Sequence, residues 1–156
     1  MQSERVNHRY VESGLPNVVL VGVDVRRCPQ CGEQALSIPH IEELHKTLAM
    51  ALIHERTRLA PHEIRFLRKW LGLSGVDFAR RMGVEPATVS RWERTEKPKP
   101  MGPVADRLLR MLVVHGQQLA EYPHILANLD DTVEHVDHLL AVRPVRTGWE
   151  STSIAA

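Results

Sequence analysis

Apolar residues along this chain change their period twice, and the changes divide it into regions. From Val18 to Val25 they run almost unbroken (Val18, Val19, Leu20, Val21, Val23, Val25), with Gly14, Pro16 and Gly22 as punctuation. That pattern predicts strand structure between Tyr10 and Ile38, the one β-like region of the sequence. Within it, Cys28-Pro29-Gln30-Cys31-Gly32 forms a tight turn, Ala35 to Ile38 a short return strand, and Pro39 ends it. From His40 the period becomes three to four. Ile41, Leu44, Leu48 and Leu52, with Ala49 and Ile53 one face over, predict a helix over 40–58.

Leu59-Ala60-Pro61 interrupts that helix, and Pro61 suits the first position of the next. The helix from Pro61 to Leu71 puts Ile64, Leu67, Trp70 and Leu71 on one side and Arg65, Arg68 and Lys69 mostly on the other; Gly72 ends it. Ser74 caps a following helix that Gly83 stops, and Pro86 opens another, with Glu85 before it as cap, that runs to about Arg94. Thr95 to Pro103 is a loop stiffened by three prolines. Val104 to His115 is a fourth helix after the linker, with Leu108, Leu109, Leu112 and Val113 inward. Tyr122-Pro123 starts a fifth, where Leu126, Leu129, Val133, Val136 and Leu140 form a heptad-like seam suited to dimerisation. Arg143 to Ala156 lacks periodicity and reads as a tail.

The expected fold class is mainly α. A five-helix helix–turn–helix domain over 61–142, with dimerisation helices at its C-terminal end, follows a linker helix over 40–60. A small β domain over 1–39 precedes both. At 43% hydrophobic and 4% aromatic, the core must be built mostly from Leu, Val, Ile and Ala. No apolar run reaches the ~20 residues of a membrane span, and the polar start MQSERVNHRY lacks a signal-peptide core, so a cytoplasmic location is expected.

Charge sharpens the picture. Between Arg56 and Arg110 there are 13 Lys and Arg against 6 Asp and Glu, whereas the rest of the chain has 7 against 13. From Met111 to Val142 there is no Lys or Arg. A basic middle between acidic ends points to an anionic partner for the middle alone.

That middle contains SGVDFARRMGVEPATVSRWER, Ser74 to Arg94. Two helices crossing over a tight turn need a small residue where they approach, which is Ala79. They need a residue tolerant of positive φ in the turn, which is Gly83. They also need inward apolar positions, here Phe78, Met82, Val84, Val89 and Trp92. Burying those leaves Ala87, Thr88, Ser90, Arg91 and Arg94 outward on the second helix of the pair. In helix–turn–helix proteins that helix lies in the DNA major groove. Arg91 has the geometry for a guanine edge, Thr88 or Ala87 for a thymine methyl, and Ser90 for a base or a phosphate. Arg80, Arg81, Arg94, Lys97 and Lys99 suit phosphate contacts, which position without specifying.

LSGVDFARRMGVEPATVSRWERTEKPKP resembles the Xre/Cro-type DNA-binding domains. Together with YVESGLPNVVLVGVDVRRCPQCGEQALSIPHIEELHKTLA, it is similar to the MqsA-type (YgiT-like) family of antitoxins and regulators, which join an N-terminal zinc ribbon to a C-terminal helix–turn–helix. The resemblance covers roughly Tyr10 to Leu126. It implies a homodimeric, double-stranded-DNA-binding transcriptional regulator that autoregulates a toxin–antitoxin operon, with base contacts at Ala87 and Arg91. The alternative it carries is an interaction module that masks a toxin protein through the N-terminal sheet. Ala87 stands where relatives often have Asn, and Gly75 where the broader class commonly has Gln.

The family's ribbon uses two CxxC knuckles, and this chain has only Cys28 and Cys31. Structural zinc takes four ligands. His8, His40 or His45, or a second chain, could complete a Zn²⁺ site; the other readings are a free thiol pair or a disulfide. His135 and His138, near Asp131, Glu134 and Asp137, form either a metal-binding group or the wet face of the fifth helix. No phosphate loop, nucleophile motif or paired-carboxylate arrangement suggests an enzyme.

Overall fold

A computed structural model of the chain describes residues 2–115 and 132–155. Among them are five α-helices, one 3-10 turn and a five-stranded sheet. In chain order these are β1 (Gln2–Arg9), the turn Val11–Ser13, β2 (Val18–Arg27), β3 (Gln34–Ser37), α1 (Ile41–His54), α2 (Pro61–Trp70), α3 (Gly75–Met82), α4 (Pro86–Trp92), α5 (Pro103–Val114), β4 (His138–Val145) and β5 (Gly148–Ala155). The chain forms two compact units. One is Met1–Leu48 with Asp137–Ala156, the other Ala49–Val136, and the boundary falls inside α1.

The first unit is built on β2. β1 pairs with it antiparallel along one edge; on the other edge β3 pairs antiparallel with its last four residues and β4 pairs parallel with Val18–Leu20. β4 and β5 form a hairpin closed between Val145 and Gly148. Gly22, at φ +68°, sits where the register with β1 slips, and its N–H donates to Asn7 Oδ1 at 3.1 Å. This bulge switches the buried phase of β2 from Val18 and Leu20 to Val23. Leu44 and Leu48 of α1 are buried in this unit, and its polar groups close on one another. Tyr10 Oη meets His45 Nε2 at 3.1 Å, and Trp149 Nε1 donates to the Pro39 carbonyl at 2.8 Å. Burial holds the His45 imidazole below its ordinary pKa and, with Glu12 adding to it, raises the Tyr10 hydroxyl above its own.

This architecture corrects three expectations. The polar residues 2–9 form an edge strand, and an edge strand with most of its side chains in solvent carries little apolar signal. The expected tail 143–156 is sheet as far as residue 155, because Trp149 is buried and 148–155 pairs with β4. The sheet therefore draws on both ends of the chain, and with 25% of the chain in strands the fold is five helices with a mixed sheet rather than plainly mainly α. The third correction concerns the seam. Leu126 and Leu129 lie outside the described residues, Val133 and Val136 are exposed in a non-helical segment, and Leu140 is buried in β4 opposite Val18. Leu140 and Val142 alternate inward, so the period-two reading wins there.

In the second unit α2 to α5 enclose a core that includes Ile64, Leu67, Phe78, Ala79, Val89, Met101, Leu109 and Val113. A wholly buried Arg110 ties α5 to the chain ahead of α2. It donates to Asp106 Oδ1 at 2.6 Å and to the carbonyls of Ile53, Glu55 and Thr57 at 3.1, 2.5 and 2.7 Å. The Leu59 N–H closes the network on Asp106 Oδ2 at 3.0 Å. Leu108, inward by its spacing in the sequence, is instead exposed, in a row with Val104 and Met111 at the i, i+4, i+7 positions of one face of α5.

Candidate nucleic-acid interface

The α3–α4 pair is set by local chemistry at each boundary. Ser74 Oγ accepts from the Asp77 N–H at 3.0 Å and donates to Asp77 Oδ2 at 2.7 Å, so the cap and the first turn of α3 hold each other. Gly83 ends α3 at φ +68°, ψ 34°, and Val84 N–H reaches back to the Ala79 carbonyl at 2.9 Å, the hydrogen bond of a left-handed helix stop. Pro86 opens α4 after an extended Glu85, which occupies the cap position without a side-chain cap bond. Phe78, Ala79, Met82, Val89 and Trp92 are all buried and Val84 is half-buried, as the inward positions require.

What remains outside is the face of α4 on which the sequence places its candidate base-contact residues. Ala87, Ser90, Arg91 and Arg94 are exposed and Thr88 half-buried. Ser90 Oγ donates to the Pro86 carbonyl at 3.3 Å. Arg91 folds back on its own helix, Nε donating to the Ala87 carbonyl at 3.2 Å and a terminal nitrogen to Thr88 Oγ1 at 3.2 Å. These two bonds are long and exposed, so releasing the guanidinium toward a base edge costs little. Arg80 rests 3.4 Å from Asp77 on the surface. Among the described residues Arg81, Arg94, Lys97 and Lys99 form no ion pair and are exposed. Lys97 takes positive φ, +48°, and Lys99 N–H bonds to the Arg91 carbonyl at 3.4 Å, pinning the proline-rich loop to the end of α4.

One element that holds α4 in place is invisible in the sequence. Glu93, only 6% exposed, accepts from Arg68 Nε at 2.6 Å and from a second Arg68 nitrogen at 3.1 Å. Arg68 also donates to the Leu73 carbonyl at 2.9 Å. Arg65 donates to the Glu93 carbonyl at 3.1 Å, and its Nε lies 3.5 Å from Oε2. Arg68 is therefore not on an outward face; it fastens the end of α4 to α2. No sequence spacing announces this, because the partners lie on different helices.

Cys28 and Cys31 sit in the β2–β3 turn, where Cys28 N–H bonds Glu33 O at 2.8 Å and Gly32 N–H bonds Cys28 O at 2.9 Å. Both thiols are free, and backbone amides of Cys31 and Gln30 hold the Cys28 thiol below its ordinary pKa. Among the described residues no third donor groups with them, and two sulfurs do not fit a four-ligand structural Zn²⁺ within one chain. His45 is engaged with Tyr10, and His8 lies 3.6 Å from Glu12. His135 and His138 share no helical face, since 132–137 is not helical and β4 begins at His138.

Capped and stopped as it is, with its apolar face buried and its second helix exposed, the α3–α4 pair defines a helix–turn–helix domain. Residues 62–122 match a family model described as a helix-turn-helix domain, a span that takes in α2 to α5 from His62 onward. The match supports the Xre-like reading of this part of the chain and carries nothing about the MqsA-type resemblance. No curated protein and no solved structure matches the chain.

Proposed function

We propose that the protein is a dimeric, sequence-specific DNA-binding transcriptional regulator that places α4 in successive major grooves of a palindromic site. The observation that carries this is the exposed face of α4, with Arg91 on it and the free cations Arg81, Arg94, Lys97 and Lys99 around it, on a helix whose opposite side is fully packed. Arg91, Thr88, Ala87 and Ser90 read bases, and Arg80, Arg81, Arg94, Lys97 and Lys99 hold phosphates. The exposed apolar row Val104, Leu108 and Met111 supports a second copy of the chain as partner of α5. Under this reading the protein acts as an MqsA-like antitoxin that represses its own operon.

Fluorescence-anisotropy titration of the region upstream of its own gene against scrambled duplex tests the proposal. Specific binding exceeds non-specific binding by about 10³-fold or more at physiological salt. Equal affinity for both duplexes refutes it. A second reading, neutralisation of a toxin protein, draws on β1 and β5, which among the described residues lie at the two ends of the strand order and leave an outer edge to an incoming strand. Copurification with the product of the neighbouring reading frame tests that reading separately.

A further inference from the structure

Away from the reading face, two imidazoles and a carboxylate converge at the start of α2. Glu63, at the third helical position and 2% exposed, turns Oε2 back to accept from the Ala60 N–H at 2.8 Å. That bond holds the carboxylate against the first turn, beside its neighbour His62. His135 approaches from the 132–137 segment, its Nδ1 3.3 Å from the Arg58 carbonyl oxygen and 3.8 Å from Glu63 Oε2. The two imidazoles meet edge to face with centroids 6.0 Å apart. One donor atom from each of His62, Glu63 and His135 lies within 4.8 Å of the other two. Nε2 of both histidines and Oε1 of Glu63 are shut off from solvent.

We propose that His62, Glu63 and His135 bind a divalent first-row transition cation, with Zn²⁺ as the reference ion. Two imidazoles and one carboxylate suit such an ion, whereas Ca²⁺ and Mg²⁺ prefer oxygen-only shells. Bonds of ~2.0–2.1 Å would space the donors about 3.3 Å apart, so the triad closes by about 1.5 Å at most, within reach of side-chain rotation. Three protein donors leave a coordination position open. His135 also lines a cavity of about 350 Å³ shared with Ile64, Trp92, Pro98, Pro100 and Met101. Trp92 is the last residue of α4 and the prolines belong to the loop pinned to it, so the site adjoins the segment that follows the reading helix.

The test uses the full chain with Cys28→Ser and Cys31→Ser, stripped with chelator and then titrated with Zn²⁺ and with Co²⁺. One ion binds per chain, and Co²⁺ gives ligand-field bands without a thiolate charge-transfer band. His62→Gln and His135→Gln each weaken binding by more than the 10–100-fold that loss of an outer-shell partner costs. His135→Cys, which keeps a donor, restores uptake and adds the thiolate band. That variant decides the matter if His135→Gln also loses its fold by circular dichroism. Absence of stoichiometric uptake, uptake indifferent to both Gln variants, or a His135→Cys protein without the thiolate band overturns the proposal. None of these outcomes depends on DNA binding.

Discussion

Glu93→Ala is the sharpest probe of how the reading helix is held. The substitution removes the acceptor of two charge-assisted hydrogen bonds from Arg68, at 2.6 and 3.1 Å, and leaves a guanidinium whose side chain is only 13% exposed. Breaking one side of a fully buried pair costs about 3–5 kcal/mol. Arg65, half exposed, adds little. Arg68 keeps its bond to the Leu73 carbonyl and gains some water, so the expected loss is about 2–3 kcal/mol. For a chain of this size that lowers the melting temperature by about 4–12 °C. Glu93→Gln, which retains one acceptor, loses about half as much.

The measurement is urea denaturation of the wild type, Glu93→Ala, Arg68→Met and the double variant. Because each single substitution strands the other partner, the double variant is less destabilised than the sum, with a coupling of about 1.5–2.5 kcal/mol. The coupling survives about 0.5 M salt, since screening acts mainly on exposed pairs. A coupling within the ~0.5 kcal/mol scatter of independent sites would show that the pair does not hold α4, and the reasoning would fail.

Other expectations follow from the same geometry. Arg110→Ala strands a buried Asp106 and three carbonyls and destabilises by about 3–5 kcal/mol in the same urea assay. Gly83→Ala puts a Cβ at φ +68° and costs about 1 kcal/mol, while Ser74→Ala loses the α3 cap for a similar amount; thermal melts read both. Arg91→Ala weakens specific DNA binding by about 1–3 kcal/mol and relaxes preference at one base pair, and an unchanged operator preference refutes the readout assignment. Lowered in the folded state by burial, the His45 pKa makes stability full above the unfolded value of 6.5 and lets it fall with pH until the folded pKa is passed. His45→Gln removes that part of the pH dependence in melts across the range.

Legibility in the sequence followed locality. Ser74, Gly72, Gly83, Pro61 and Pro86 each act on the backbone within a few residues, so α2, α3 and α4 could be placed from the text alone. The same holds for the outward side of α4. The sheet was half hidden because β2 finds β4 only through the fold, in a parallel register that opposes Val18 to Leu140. Spacings of three and four from Leu126 to Leu140 mimic a helix, and only burial shows that Leu140 and Val142 follow a strand period. Arg68 with Glu93 and His62 with His135 are likewise products of tertiary folding. Asp106 and Arg110, four apart on α5, could have been anticipated as a pair, though not their burial.

The basic middle of the chain overstates the charge available to a phosphate backbone. Arg110 is spent on carbonyls and Asp106 inside the unit, Arg68 on Glu93, and Arg65 partly on the same carboxylate. What is left on the α3–α4 side is Arg80, Arg81, Arg91, Arg94 and the loop pair Lys97 and Lys99, all exposed. Five phosphate contacts per chain give a slope of log K against log salt of about −4.5, doubled in a dimer. On the proposed reading, with Ala87 apolar and Arg91 the one strong base reader, such a surface would gain most of its affinity from phosphates and from pairing two copies. Arg81→Ala with Arg94→Ala should therefore lower the slope by about 2 per chain while leaving the ranking of sequences intact. A regulator whose main act is to mask a protein partner has no reason to show that slope. Salt titration thus separates the two readings before any operator is known.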